Sequence, residues 1–300
     1  MKLENILKDD RLKPALVIGN GINLYGSTSA AGNNSWEEML SKLWQKHSKS
    51  SNQPLSLEGI SLTEFYDAID LTKQSDEINL QKEFCNLMSD WVPKDHHVAI
   101  SLWAQRLNVP ILTTNFDKTL SSHITEKLQH LDSKSFTDYY PWKSYFSGHK
   151  VCDPANEFAI WHINGVKTYK RSIRLGLSHY MGSVEMARRL IHKGNESSLF
   201  SGKNVDGWSG YQSWLHIIFN NDLVFIGLRL GTTEVFLRWL LIERAKYFNQ
   251  FPDRKKAAYF VVVKTDEVSS GKKLFLNSVG VEVVYERSWD EVYSSHWALS

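Results

Sequence analysis

Cysteine is scarce in this 300-residue sequence, with only Cys85 and Cys152. Two thiols so far apart exclude a four-cysteine zinc site and make a disulfide framework a poor fit. The chain is suited to a reducing compartment. An excess of one charge is also missing. Lys and Arg number 35 against 33 Asp and Glu, for a net charge of +2, so composition makes no case for nucleic acid or membrane binding. No apolar run approaches the roughly 20 residues of a membrane helix, and the opening MKLENILKDDRLK is too charged for a signal peptide. These absences predict a cytoplasmic protein. Repeats and low-complexity tracts are lacking as well. What the chain does have is aromatic residues, 11 Trp, 12 Tyr and 14 Phe. They mark either a sizeable core or protein interfaces.

Short, continuously apolar runs recur along the chain: Pro14–Ile18, Val109–Leu112, Phe158–Ile163, Leu223–Gly227, Ala257–Val263 and Val281–Tyr285. Helical patterns separate them. About six buried strands alternating with helices predict an α/β fold, a Rossmann-like parallel sheet with helices on both faces, in one domain over residues 1–300. The helical stretches between 48 and 105 exceed what one crossover needs and predict a helical insertion. Ser35 with Glu38 predicts a capping box, followed by a helix burying Trp36, Met39, Leu40, Leu43 and Trp44. A helix is also predicted over KTLSSHITEKLQHL, after residue 117. Another is predicted from about Thr233 to Phe248, capped by Thr232 or Thr233, with Val235, Leu237, Leu240 and Leu241 on its apolar face. His96 and His97 read as capping or surface residues at a helix start.

Four runs break at their carboxyl ends into site-like sequences: GNGIN (19–23), TTNFD (113–117), HING (162–165) and GLRL (227–230). In open α/β sheets, ligands bind outside the carboxyl ends of strands. Each break alone has a plain explanation: a glycine turn, a helix cap by Thr114, Asn115 or Asp117, or a hydrogen-bonded core histidine. Together they point to one crevice. Arg229 and Glu234, beyond it, read first as an ion pair and second as contacts to the far end of a ligand.

In this order the motifs resemble the sirtuin fold. They are closer to the bacterial sirtuin-like NAD hydrolases of antiphage defence than to protein deacylases, with Trp36, the SWLHIIF helix and FIGLRLGTTEVFLRWLL adding to the likeness. The resemblance runs from about Pro14 to Tyr285. Three departures stand out. The sirtuin zinc module is missing, Asn23 stands where a deacylase has Ser, and His162 lies two positions before Asn164 rather than directly before Gly165. Either His162 or Asn164 then fills the catalytic histidine's place. Residues two apart on a strand share a face, which favours His162.

The resemblance implies cleavage of the nicotinamide–ribose bond of NAD+, with no zinc. Asn115 would hold the ribose and place a water, and His162 would take a proton. Asp117 would orient Asn115 or the nicotinamide amide. Gly19, Asn20, Gly21, Asn23, Thr113, Asn164 and Gly227 would form the dinucleotide site, the first three through backbone N–H groups. It further implies an abortive-infection effector that depletes NAD+, held in check by homo-oligomerisation or by a separately encoded regulatory or sensor protein. The aromatic loop at 136–147 and the helical insertion are the expected interfaces. The competing expectation is a catalytically silent subunit that binds NAD+ or ADP-ribose.

Overall fold

The computed structural model describes residues 1–26, 35–51, 56–125, 127–131, 142–192, 197–201, 207–232 and 234–297. Its centre is a six-stranded parallel sheet built from β1 (Pro14–Ile18), β2 (Ile111–Thr113), β5 (Ile160–His162), β6 (Asp222–Ile226), β7 (Ala258–Val263) and β8 (Glu282–Glu286). The strands lie in the order β5-β2-β1-β6-β7-β8, the doubly wound Rossmann arrangement, in which the connections reverse direction between the first and fourth strands. Here that switch point lies between β1 and β6. A separate antiparallel pair joins β3 (Gln129–His130) to β4 (Ser144–Tyr145).

The strands lack the polar alternation of a half-exposed sheet because both faces are covered. Ala15, Val17, Leu223, Phe225, Phe260 and Val262 pack into one cluster with α8 (Trp214–Asn220) and α9 (Val235–Gln250). Leu16, Ile18, Val224, Ile226, Val261 and Val263 point the other way, against α1 (Leu3–Leu7) and α6 (Asp95–Arg106). α2 (Gly21–Leu24) follows β1, α7 (Leu177–His192) follows β5, and α10 (Ser270–Ser278) joins β7 to β8. A π-helical turn, Glu291–Ser295, closes the described chain against α6.

Several helices lie between β1 and β2. α3 (Trp36–His47), α4 (Leu62–Thr72) and α5 (Leu80–Asn86) share a third cluster that also takes in Ile173 and Leu175. α6 is the crossover helix, with Ile100 and Ala104 against the sheet. Ser35 caps α3 by accepting the Glu38 N–H at 3.2 Å, but the Glu38 carboxylate meets the Ser35 hydroxyl rather than its N–H, so only half the box forms. The complete box is on α4. There Ser61 Oγ accepts the Glu64 N–H at 3.2 Å and Glu64 accepts the Ser61 N–H at 2.8 Å. α9 starts at Val235 without a side-chain cap; Thr233 lies outside the described residues. Val235 faces solvent, whereas Leu237, Leu240 and Leu241 are buried as expected.

The helix expected after residue 117 does not form. Residues 118–124 make successive turns: Ser121 and Ser122 N–H both bond the Lys118 carbonyl, and Ser101 Oγ takes the Leu120 carbonyl. Leu120, Ile124 and Leu128 do pack inward at helical spacing. Around them, however, the Asp117 carboxylate accepts the Thr119 N–H and hydroxyl, and Ser121 Oγ reaches back to the Lys118 carbonyl at 3.5 Å, local side-chain bonds that draw the segment away from a helix.

Candidate functional site

β5, β2, β1 and β6 are the strands whose carboxyl ends carry the four motifs, and they are neighbours in the sheet. Ile18, Thr113 and His162 lie in one register row, with Ile226 beside Ile18. The fold therefore brings GNGIN, TTNFD, HING and GLRL to one edge.

Asn115 and His162 meet there. His162 is 3% exposed, and its Nδ1 lies 2.8 Å from the Asn115 carbonyl oxygen. A carbonyl only accepts, so Nδ1 carries the hydrogen and donates it. In the neutral ring Nε2 is then a bare lone pair, and that buried atom has no hydrogen-bond partner among the described residues. Burial is the main influence on this imidazole and lowers its pKa. The bond to Asn115 and the charge of Asp117 oppose that shift, and Lys118 adds to it. The ring edge meets Phe146 at 5.5 Å, and the Lys118 ammonium lies 5.5 Å from the same ring. Asn115 in turn donates from Nδ2 to the Gly19 carbonyl at 3.3 Å, and its N–H is held by Thr113 Oγ1 at 3.1 Å.

Several predicted ligand contacts are occupied inside the protein. Thr113 is fully buried and donates to the Ile18 carbonyl, tying β2 to β1. Asn23 is also buried, its amide nitrogen on Asp117 Oδ2 at 2.8 Å and Asn20 Oδ1 at 2.9 Å. Asp117 spends its second oxygen on the Thr119 N–H and hydroxyl, so its bonds go to Asn23 and Thr119 rather than to Asn115. Asn164, half-buried, accepts the Arg174 N–H on its carbonyl. The position two residues earlier, His162, is the one that joins Asn115.

The glycines have a different role from the expected anion cradle. Gly19 N–H donates to the Ile226 carbonyl and Gly21 N–H to the Gly227 carbonyl, each at 2.9 Å. A Cβ on Gly19 would come within 2.6 Å of the Gly227 oxygen, and one on Gly21 within 2.7 Å of the Gly227 Cα. Gly227 has φ +66°, and a Cβ there would strike the Tyr293 hydroxyl. These residues let two loops and an aromatic side chain close on one another at the switch point. Tyr293 Oη is buried without a hydrogen-bond partner among the described residues.

Of the capping or surface roles expected for His96 and His97, capping holds for His97, whose Nδ1 accepts the Lys94 N–H at the start of α6. Both rings are nonetheless buried under α2 rather than at the surface. His96 Nε2 contacts the Ile22 carbonyl at 2.8 Å, and His97 Nε2 contacts Asn23 Oδ1 at 2.9 Å. The signal lay in HHVAISLWA: positions 96, 97, 100, 103 and 104 share one helical face, and the apolar ones line the core. Tyr293 offered no such signal. Arg229 is exposed and forms no ion pair with Glu234 among the described residues. Burial pushes the Glu234 carboxyl up to about 7, with the charges of Lys272, Arg238 and Arg229 opposing the shift.

Among the described residues no group of three or more His, Cys, Asp and Glu is placed to hold a metal ion. No described helix is long and apolar enough to cross a membrane. Compared with models of known protein families and with curated proteins, the chain matches none.

Proposed function

We propose that the chain hydrolyses NAD+ at the nicotinamide–ribose bond, releasing nicotinamide and ADP-ribose. The observation that carries this reading is the Asn115–His162 pair. It is a buried imidazole with its Nδ1–H fixed on a backbone carbonyl and a lone pair on Nε2 that meets no donor among the described residues. A general base needs that state, neutral at working pH and oriented by its second nitrogen.

In this reading the Nε2 lone pair takes a proton from water or a ribose hydroxyl as the bond to nicotinamide breaks. The Asp117 charge steadies the imidazolium that results. The Asn115 amide holds the ribose. Its 3.3 Å bond to Gly19 is at the loose end of the hydrogen-bond range, so a ribose hydroxyl displaces it at little cost. The dinucleotide lies along the carboxyl ends of β5, β2 and β1. As a defence effector the chain would need restraint, which self-association or a separately encoded protein would supply.

The test is NAD+ loss in a purified preparation and in infected-cell lysate, beside Asn115→Ala and His162→Ala proteins of native circular dichroism. The expected result is loss that disappears in both variants. A folded Asn115→Ala protein that cleaves NAD+ at the wild-type rate would remove the mechanism. Binding of NAD+ with no loss under any condition would replace the enzyme with a binding subunit.

A further inference from the structure

His97 is 1% exposed and lies on α6, outside every motif that defines the site. Its Nδ1 accepts the Lys94 N–H at 3.1 Å. A nitrogen that accepts carries no hydrogen, so the neutral ring holds its proton on Nε2 and donates it to Asn23 Oδ1 at 2.9 Å. That contact decides which way the Asn23 amide faces. With Oδ1 turned to His97, Nδ2 points to Asp117 Oδ2 at 2.8 Å and Asn20 Oδ1 at 2.9 Å. A flipped amide would set its NH2 against the His97 N–H and its oxygen against a carboxylate. Thr119 completes Asp117 from the other side, through its N–H at 2.9 Å and its hydroxyl at 2.5 Å. Donors thus run in one direction, from the Lys94 backbone through His97 and Asn23 to Asp117.

We infer that His97 is a positioning residue for the proposed reaction: by way of Asn23 it holds the Asp117 carboxylate in the orientation from which its charge acts on His162. This rests on the reading of Asn115 and His162 given above. The charged and titratable groups acting on His162 are Asp117 and Lys118, and those acting on His97 are His96, Asp117 and Lys94. Asp117 is the one group common to both sets. Burial holds the His97 pKa at about 4, so across the neutral range the ring keeps the single tautomer that the chain of donors requires. Without the Asn23 link, Oδ2 loses its donor, Asp117 is held by Thr119 through Oδ1 alone, and the carboxylate pivots about that anchor, so His162 loses part of the charge that counters its burial.

The test compares His97→Leu, which removes the donor, with His97→Gln, whose amide nitrogen reaches about where Nε2 stood. Asn23→Leu and the His97→Leu/Asn23→Leu double variant complete the set. Leu at 97 is expected to lower kcat about tenfold to a hundredfold, the range carried by outer partners of functional groups. KM should stay near wild type, and the acid limb of the kcat/KM profile should move to lower pH. Gln at 97 should recover most of the rate, and the double variant should be no slower than its worse parent. Nitrogen-15 spectra of histidine-labelled protein without NAD+ should show His97 protonated on Nε2 and His162 on Nδ1, with the His162 titration displaced by His97→Leu. A folded His97→Leu protein with the wild-type kcat and pH profile overturns the inference. So does a Gln variant as slow as the Leu variant, or an unmoved His162 titration. The spectra decide the inference whether or not the protein cleaves NAD+. Wild-type protein that cleaves none overturns the proposed function instead.

Discussion

Replacing Gly227 with Ala should be among the most damaging single-methyl changes in the molecule. The residue has φ +66°, a left-handed conformation that costs a non-glycine residue about 1–2 kcal/mol. The new Cβ would also collide with the Tyr293 hydroxyl and come within 3.1 Å of the Ile22 nitrogen. Overpacking of this kind adds about 1–3 kcal/mol, for a combined loss of about 2–5 kcal/mol. Tyr293→Phe should behave in the opposite way. The hydroxyl it removes is buried and unpaired, and an unsatisfied buried group costs about 1–3 kcal/mol, so the variant should match or exceed wild-type stability. In the double variant the collision with the hydroxyl vanishes while the backbone cost remains. The two changes should then couple by about 1–2 kcal/mol. Urea unfolding at constant slope measures all three proteins. Strict additivity, or a Tyr293→Phe protein as weak as Gly227→Ala, would refute the description of this junction.

Arg244 is fully buried and bonds the carbonyls of Ile218, Asn221, Lys256 and Ala257. Arg244→Met should cost about 3 kcal/mol by taking this donor from the Ile218, Asn221 and Lys256 carbonyls, while the Ala257 carbonyl keeps the Leu223 N–H, and Arg244→Lys should restore little, since an ammonium lacks the fork; thermal melts check both. In native protein a disulfide reagent should modify Cys152 alone, because Cys152 is exposed while burial raises the Cys85 thiol to about 12; two fast-reacting thiols would contradict this. Acid should destabilise the fold well above the carboxylate range. Burial holds His97 and His216 at about 4, whereas a free imidazole titrates near about 6.5. Between those values the unfolded chain binds protons that the folded one refuses. The stability each ring contributes is therefore complete above about 6.5 and lost as pH falls to about 4, at most about 3 kcal/mol apiece. Urea midpoints from pH 7 to 4 should fall accordingly, less steeply in His97→Gln, and equal slopes for the two proteins would refute the assignment to His97.

The strands were legible because a buried parallel strand writes itself as a short apolar run ended by glycine or polar residues. Pro14–Ile18 was placed to the residue, and the other runs fell within two residues at either end. The meeting of Asn115 with His162 was legible for the same reason, since both follow directly from strand ends. Strand order was not, because nothing local in a run names its neighbour. The false helix after residue 117 arose because Leu120, Ile124 and Leu128 fit both a helix and a string of turns that bury the same side chains. The inward roles of Thr113 and Asn23 were hidden too. A short polar side chain at a strand end faces a ligand or the protein's own backbone with the same letters, and here both found partners inside. His97 depends on how α6 lies over α2, and Tyr293 on a turn from the far side of the chain.

That turn has a consequence for how the protein is made. Gly21, Gly227 and Tyr293 close on one another from three widely separated parts of the sequence. On the ribosome, at about 5–20 residues per second, the β1 loop emerges before the carbonyls and the ring that fix its shape. β6 supplies the carbonyls only after β2 and β5 have been made, and Tyr293 follows only after β8. The junction of the β1 and β6 loops is therefore completed only after β8 has been made, so a strand that leads the sheet in sequence takes its final carboxyl-end geometry from elements that follow all the others.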